Sequence, residues 1–129
     1  MKTLFIGSNL GYLGRLRDAL SLSKDEVFLV HTAAELAEVD IREVGVVFLD
    51  LLWQSENEKR DTNIDSAIKL LHKAGYKGRI EACANNPHGN SYIAKLLGGS
   101  TVWEDPEERE YPDLSPEEIA AKLAPLLAA

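Results

Sequence analysis

Short, unbroken apolar runs recur along this chain, each followed by an amphipathic stretch. The runs are TLFIG (3–7), EVFLVH (26–31), VGVVFLD (44–50), GRIEACAN (78–85) and STVWE (100–104). A strand buried on both faces reads as a continuous apolar run, whereas a strand with one solvated face alternates. Runs of this kind separated by helical patterns predict an α/β protein with a parallel sheet between two layers of helices. The 129 residues suit one domain over 1–129, large enough to bury a real core.

The intervening segments carry helix signals. Leu10, Leu13, Leu16 and Leu20 recur at near-helical spacing through Ala19. Thr32 and Glu35 form a T-x-x-E capping box that opens a helix across Leu36 and Val39, with Val44 a further candidate. Residues 54–63 are polar and read as loop. Ile64, Ala67, Ile68 and Leu71 mark a helix that ends near Gly75, where a left-handed cap is wanted. PHGN (87–90) reads as a turn before a short helix through Tyr92, Ile93, Leu96 and Leu97. Ser115, Pro116 and Glu118 give the last helix a cap, a first-turn proline and a capping box. Pro125 should kink or fray that helix, because it removes a backbone donor.

Five strands then alternate with five helices. In an open sheet of this kind, ligands bind beyond the carboxyl ends of the strands. Asp50 ends the third run, between Leu49 and the Leu51-Leu52-Trp53 that follows. An unpaired buried carboxylate is costly, so Asp50 is either a reactive group or an acceptor for nearby backbone N–H groups.

Bulk properties exclude several classes. The net charge of −7 argues against a sequence-independent grip on nucleic acid or on an anionic membrane. Residues 104–113, EDPEEREYPD, hold six acids against Arg109 alone, which reads as a solvated loop or a surface for a basic partner. Cys83 is the only cysteine, so neither a disulfide framework nor a thiolate metal cluster is expected. The apolar run in MKTLFIGS is too short for a signal peptide, and no stretch reaches membrane-span length. The expectation is a cytoplasmic protein with no metal and no cofactor.

Several strings resemble the receiver domain of response regulators in two-component signalling. VGVVFLD resembles the third receiver strand, whose terminal aspartate accepts the phosphoryl group, and this places Asp50 on the acceptor position. LHKAGYKGRIEA is similar to the passage from the third helix into the fourth strand. LLGGSTVWEDP resembles the fifth-strand passage, with Pro106 on the family's proline. The resemblance spans nearly the whole chain, in pattern more than identity. It implies a flavodoxin-like (βα)5 three-layer sandwich with a five-stranded parallel sheet. It also implies a homodimer surface on the fourth helix, fifth strand and fifth helix.

The rest of the receiver constellation is replaced. The acidic pair that holds magnesium falls on Gly7 and Ser8, and the Ser or Thr after the fourth strand falls on or near Ala84. The lysine falls on Asp105, the aromatic switch on Val102, and Leu52-Trp53 stand in for the Met-Pro signature. Phosphoryl transfer depends on positioning and on neutralising charge at the transferring oxygens. Magnesium needs carboxylates as anchors. The chain therefore reads as a pseudo-receiver, a non-enzymatic interaction module, with Asp50 a vestigial acceptor. The chain ends on the fifth helix, so its expected output passes through another signalling protein.

A rival signal is GSNLGYLG (7–14), a glycine-rich turn between a strand and a helix. Gly7, Gly11 and Gly14 are spaced G-x-x-x-G-x-x-G, near the dinucleotide fingerprint G-x-G-x-x-G. That fingerprint wants an acid at the end of the second strand, where His31 and Thr32 stand. The alternatives are a small nucleotide- or anion-binding protein, or glycines that allow a helix to pack closely on the sheet. His31, His72 and His88 belong to no ligand motif, and Cys83 reads as buried and inert, with a Cys83–His88 pair as its functional alternative. Asn85 and Asn86 read as turn formers that could also bind a polar ligand. Trp53 and Trp103 are core residues or parts of an interaction surface.

Overall fold

A computed structural model describes residues 1–50, 64–97 and 113–128. Four strands form one sheet: β1 (Lys2–Ile6), β2 (Val27–Val30), β3 (Val44–Leu49) and β4 (Arg79–Ala82). All pairings are parallel, in the order β2-β1-β3-β4. The α/β class and parallel sheet agree with the apolar runs. The fifth run, STVWE, lies outside the described residues, as do Trp53, Val102, Trp103 and Asp105.

Among the described residues, five α-helices accompany the sheet: α1 (Leu10–Ala19), α2 (Ala33–Ala37), α3 (Ile64–Lys73), α4 (Pro87–Leu97) and α5 (Pro116–Ala128). Leu4, Phe5 and Ile6 are consecutive and fully buried, as are Val47, Phe48 and Leu49. Side chains alternate between the faces of a strand, so both faces of this sheet are covered. Phe5 and Phe48 stack across adjacent strands with ring centroids 5.2 Å apart. Such a pair adds about 0.5–1.5 kcal/mol beyond its burial.

The connection from β1 to β2 runs one way along the sheet, and those from β2 to β3 and from β3 to β4 run the other way. Right-handed crossovers therefore put α1 on one face and α2 and α3 on the opposite face. α5 packs against α1.

Local chemistry explains most boundaries. Gly75, at φ +94°, ends α3: its N–H donates to the His72 carbonyl and the Tyr76 N–H to the Leu71 carbonyl, both at 3.0 Å. Ser115 and Glu118 form both halves of the expected capping box. α5 continues past Pro125 to Ala128, and the Arg79 guanidinium donates to the Leu126 carbonyl in its last turn, at 2.9 Å.

Three local expectations change. The helix opened by Thr32 stops at Ala37, because Asp40 starts a separate 3-10 turn by accepting from the Arg42 N–H, and Val44 joins the sheet opposite Lys2. The capping box there is only half made. Thr32 accepts from the Glu35 N–H, but the Glu35 carboxylate reaches back to the N–H of His31 rather than of Thr32. PHGN is the first turn of α4 rather than a separate turn: the Asn86 side chain accepts from the Gly89 N–H, and Pro87 takes the first helical position.

Candidate functional site

The sheet changes direction between β1 and β3, so the crevice beyond their carboxyl ends is the place where such folds bind ligands. Gly7 follows β1 and Asp50 follows β3. The ladder runs one residue past each strand here. The Gly7 N–H donates to the Val30 carbonyl (3.0 Å), the Asp50 N–H to the Ile6 carbonyl (2.8 Å) and the Cys83 N–H to the Leu49 carbonyl (3.0 Å). These bonds fix the backbone from which the Asp50 side chain projects.

That side chain lies over Gly7. A Cβ built on Gly7 would stand 2.7 Å from the Asp50 Cβ and 3.0 Å from its Oδ2. No side chain fits at position 7 while Asp50 holds this place. Ser8, next to it, offers a neutral hydroxyl. The two positions that the receiver resemblance sets on the acidic pair thus bring no carboxylate to Asp50, and Gly7 has no room for a side chain. Among the described residues, no three His, Cys, Asp or Glu side chains converge as a metal site would need.

Tyr12, in the first turn of α1, closes the corner from the helix side. Its hydroxyl donates to the Cys83 carbonyl at 2.7 Å. Burial raises its pKa far above the usual tyrosine value, with smaller contributions from Cys83 and Asp50. Burial, and then the Asp50 charge, also hold the Cys83 thiol well above its ordinary pKa. Both groups stay protonated at neutral pH, so neither is a ready nucleophile or base. The side chain of His88 lies outside the described part of the structure, and Cys83 is fully buried.

Ala84, which the receiver resemblance sets on the Ser or Thr position, is held by Asn90 from the first turn of α4. The Asn90 Oδ1 accepts from the Ala84 N–H at 2.7 Å, and its Nδ2 donates to the Ala84 carbonyl at 2.6 Å. Asn90 is fully buried. The end of β4 is thereby clamped to α4.

The glycine-rich turn is shorter than its sequence suggests. Only Gly7, Ser8 and Asn9 connect β1 to α1, and the Asn9 side chain caps the helix by accepting from the Tyr12 N–H at 3.0 Å. Gly11 and Gly14 are within α1. A Cβ on Gly11 would meet only Asn9 Oδ1, at 3.4 Å, and one on Gly14 only the Arg17 guanidinium, at 3.8 Å. Neither glycine is needed for close approach of the helix to the sheet.

The remaining candidates separate from this corner. His31 is partly exposed, and its Nδ1 lies 2.8 Å from Glu35 Oε1, a close contact without hydrogen-bond alignment. His72 is exposed on α3. Asn86 caps α4, and the Asn85 carbonyl accepts from the Leu114 N–H at 2.8 Å, tying the entry of α5 to the end of β4. Sequence reasoning did not single out Tyr12 or Asn90. Tyr12 was visible as a polar aromatic beside the aliphatic stripe of Leu13 and Leu16. Asn90 was visible as an amide one turn after an Asn-Pro helix start.

No protein-family model matches the sequence, and no curated protein is significantly similar to it. Among the described residues, no helix is long and apolar enough to cross a membrane.

Proposed function

We propose that this chain is a non-enzymatic, cytoplasmic signalling module on a flavodoxin-like five-stranded scaffold, resembling a receiver that has lost phosphoryl-transfer chemistry. The observation that carries this reading is the contact between Asp50 and Gly7. The β2-β1-β3-β4 order supports the scaffold, and the apolar run at 100–104 is the candidate for its fifth strand. Asp50 stands where a phosphoacceptor would, yet its side chain fills the room that a metal-anchoring acid at position 7 would need. The partner is another signalling protein, with self-association through α4, the fifth strand and α5 as the homodimeric form.

The nucleotide- or anion-binding alternative finds less support. Its second and third glycines sit within a helix, and Asn9 occupies one of the N-terminal donors that a phosphate would use.

Amide NMR spectra recorded with beryllofluoride and Mg²⁺ test the proposal. We expect the resonances of Gly7, Asp50 and Ala84 to stay in place. Saturable shifts centred on those three would contradict it.

A further inference from the structure

On the face opposite α1, the shortness of α2 leaves a half-open groove of about 320 Å³ against α3. Leu36, Ile41, Leu70 and Leu71 form its apolar floor, alanines widen it, and Lys73 is the only charged residue lining it among the described residues. Lys69 lies one helical turn before Lys73, and Lys77 follows just beyond the helix end.

Three lysines on one short segment concentrate positive charge in an acidic chain. The chain has 21 acids against 14 Lys and Arg, and residues 66–80 contain no acid at all. Elsewhere Lys2, Arg15, Arg17, Arg42 and Arg79 each lie 3.0–3.8 Å from a carboxylate. Lys69, Lys73 and Lys77 are exposed and make no ion pair with any described residue. The helix macrodipole accounts for a cation in the last turn, at Lys73, but not for Lys69 in mid-helix. A basic edge beside an apolar groove complements an acidic amphipathic segment, the helix-in-groove mode of recognition.

We propose that the α2–α3 groove docks an acidic, amphipathic segment of a partner protein. One large apolar side chain of that segment anchors in the groove, and its acidic flank runs along Lys69, Lys73 and Lys77. Exposed Glu38 on the α2 side sets the orientation, because it repels an acidic flank placed there. The proposal deepens the reading of the chain as an interaction module and does not depend on the chemistry at Asp50.

Fluorescence polarisation of the full chain with a dye-labelled, glutamate-rich amphipathic peptide carrying one tryptophan tests it. Saturable binding is expected, weakened about tenfold or more by Ala37→Trp, which fills the groove from an exposed position. The surface double variant Lys69→Glu/Lys73→Glu should weaken it similarly and flatten its salt dependence. Asp50→Asn should bind unchanged, so failure at the groove is separable from failure of the reading at Asp50. Absence of saturable binding, equal binding of a lysine-flanked version, or full binding by Ala37→Trp would overturn the proposal. So would decanoate binding at the groove without peptide binding, or a groove occupied by a second copy of the chain in sedimentation.

Discussion

The corner at Gly7 and Asp50, beyond the carboxyl ends of β1 and β3, and the groove between α2 and α3, on one face of the sheet, are built in opposite ways. At the corner, Asp50 fills the space above Gly7, Tyr12 donates to Cys83, and Asn90 holds both polar groups of Ala84. At the groove, small residues leave about 320 Å³ open, and Lys73 in its lining, with Lys69 and Lys77 on the same segment, makes no ion pair with any described residue. In the crevice where such folds commonly bind, Asp50 fills the room above Gly7, whereas an ordinary-looking helix face has open space and a cluster of lysines.

The comparison predicts that changes at the corner cost stability and changes at the groove do not. The largest effect belongs to Asn90→Ala. It strands the Ala84 N–H and carbonyl in the core, at about 1–3 kcal/mol for each unsatisfied group. Urea unfolding should show a loss of about 2–4 kcal/mol.

Alkaline pH attacks the same corner. The folded pKa of Tyr12 lies above its unfolded value of 10.0, so its contribution is full below pH 10 and is lost as the pH rises beyond that. Tyr76, also raised by burial, acts in the same direction. Alkaline melts should therefore lose stability above pH 10 more steeply in the wild type than in Tyr12→Phe. Equal slopes would mean that Tyr12 is not held in the corner.

Much of this was legible in the sequence because it depends on local rules. Continuous apolar runs give buried parallel strands, Gly75 gives a left-handed cap, and Ser115 with Glu118 gives a reciprocal cap, whatever the rest of the chain does. The end of α2 was not legible, since Val39 continues the helical spacing while Asp40 starts a competing turn two residues before Arg42. Asp50 was recognisable as the strand-end acid, but its closure over Gly7 requires β1 and β3 to be neighbours, a non-local fact. The open groove was invisible for the same reason, because it arises from a short α2 set beside α3. Trp53, Trp103 and Asp105 lie outside the described residues, so their assigned roles have no structural counterpart in this comparison.

Smaller effects sharpen the contrast. Gly14 lies within α1 with room for a methyl group, so Gly14→Ala should stabilise the protein by about 0.5–1 kcal/mol. A loss of stability there would restore the idea of a close helix–sheet contact. At the groove, Ala37→Leu should change stability by no more than about 0.5 kcal/mol, as expected for an exposed site with free volume beside it.

The closed corner is tested most directly by introducing Gly7→Ala into the wild type and into Asp50→Gly, and comparing the unfolding free energies. If Asp50 occupies the space above Gly7, the alanine costs about 1–3 kcal/mol in the wild type and close to nothing once the Asp50 side chain is gone. Equal costs in the two backgrounds, or none in either, would contradict the account.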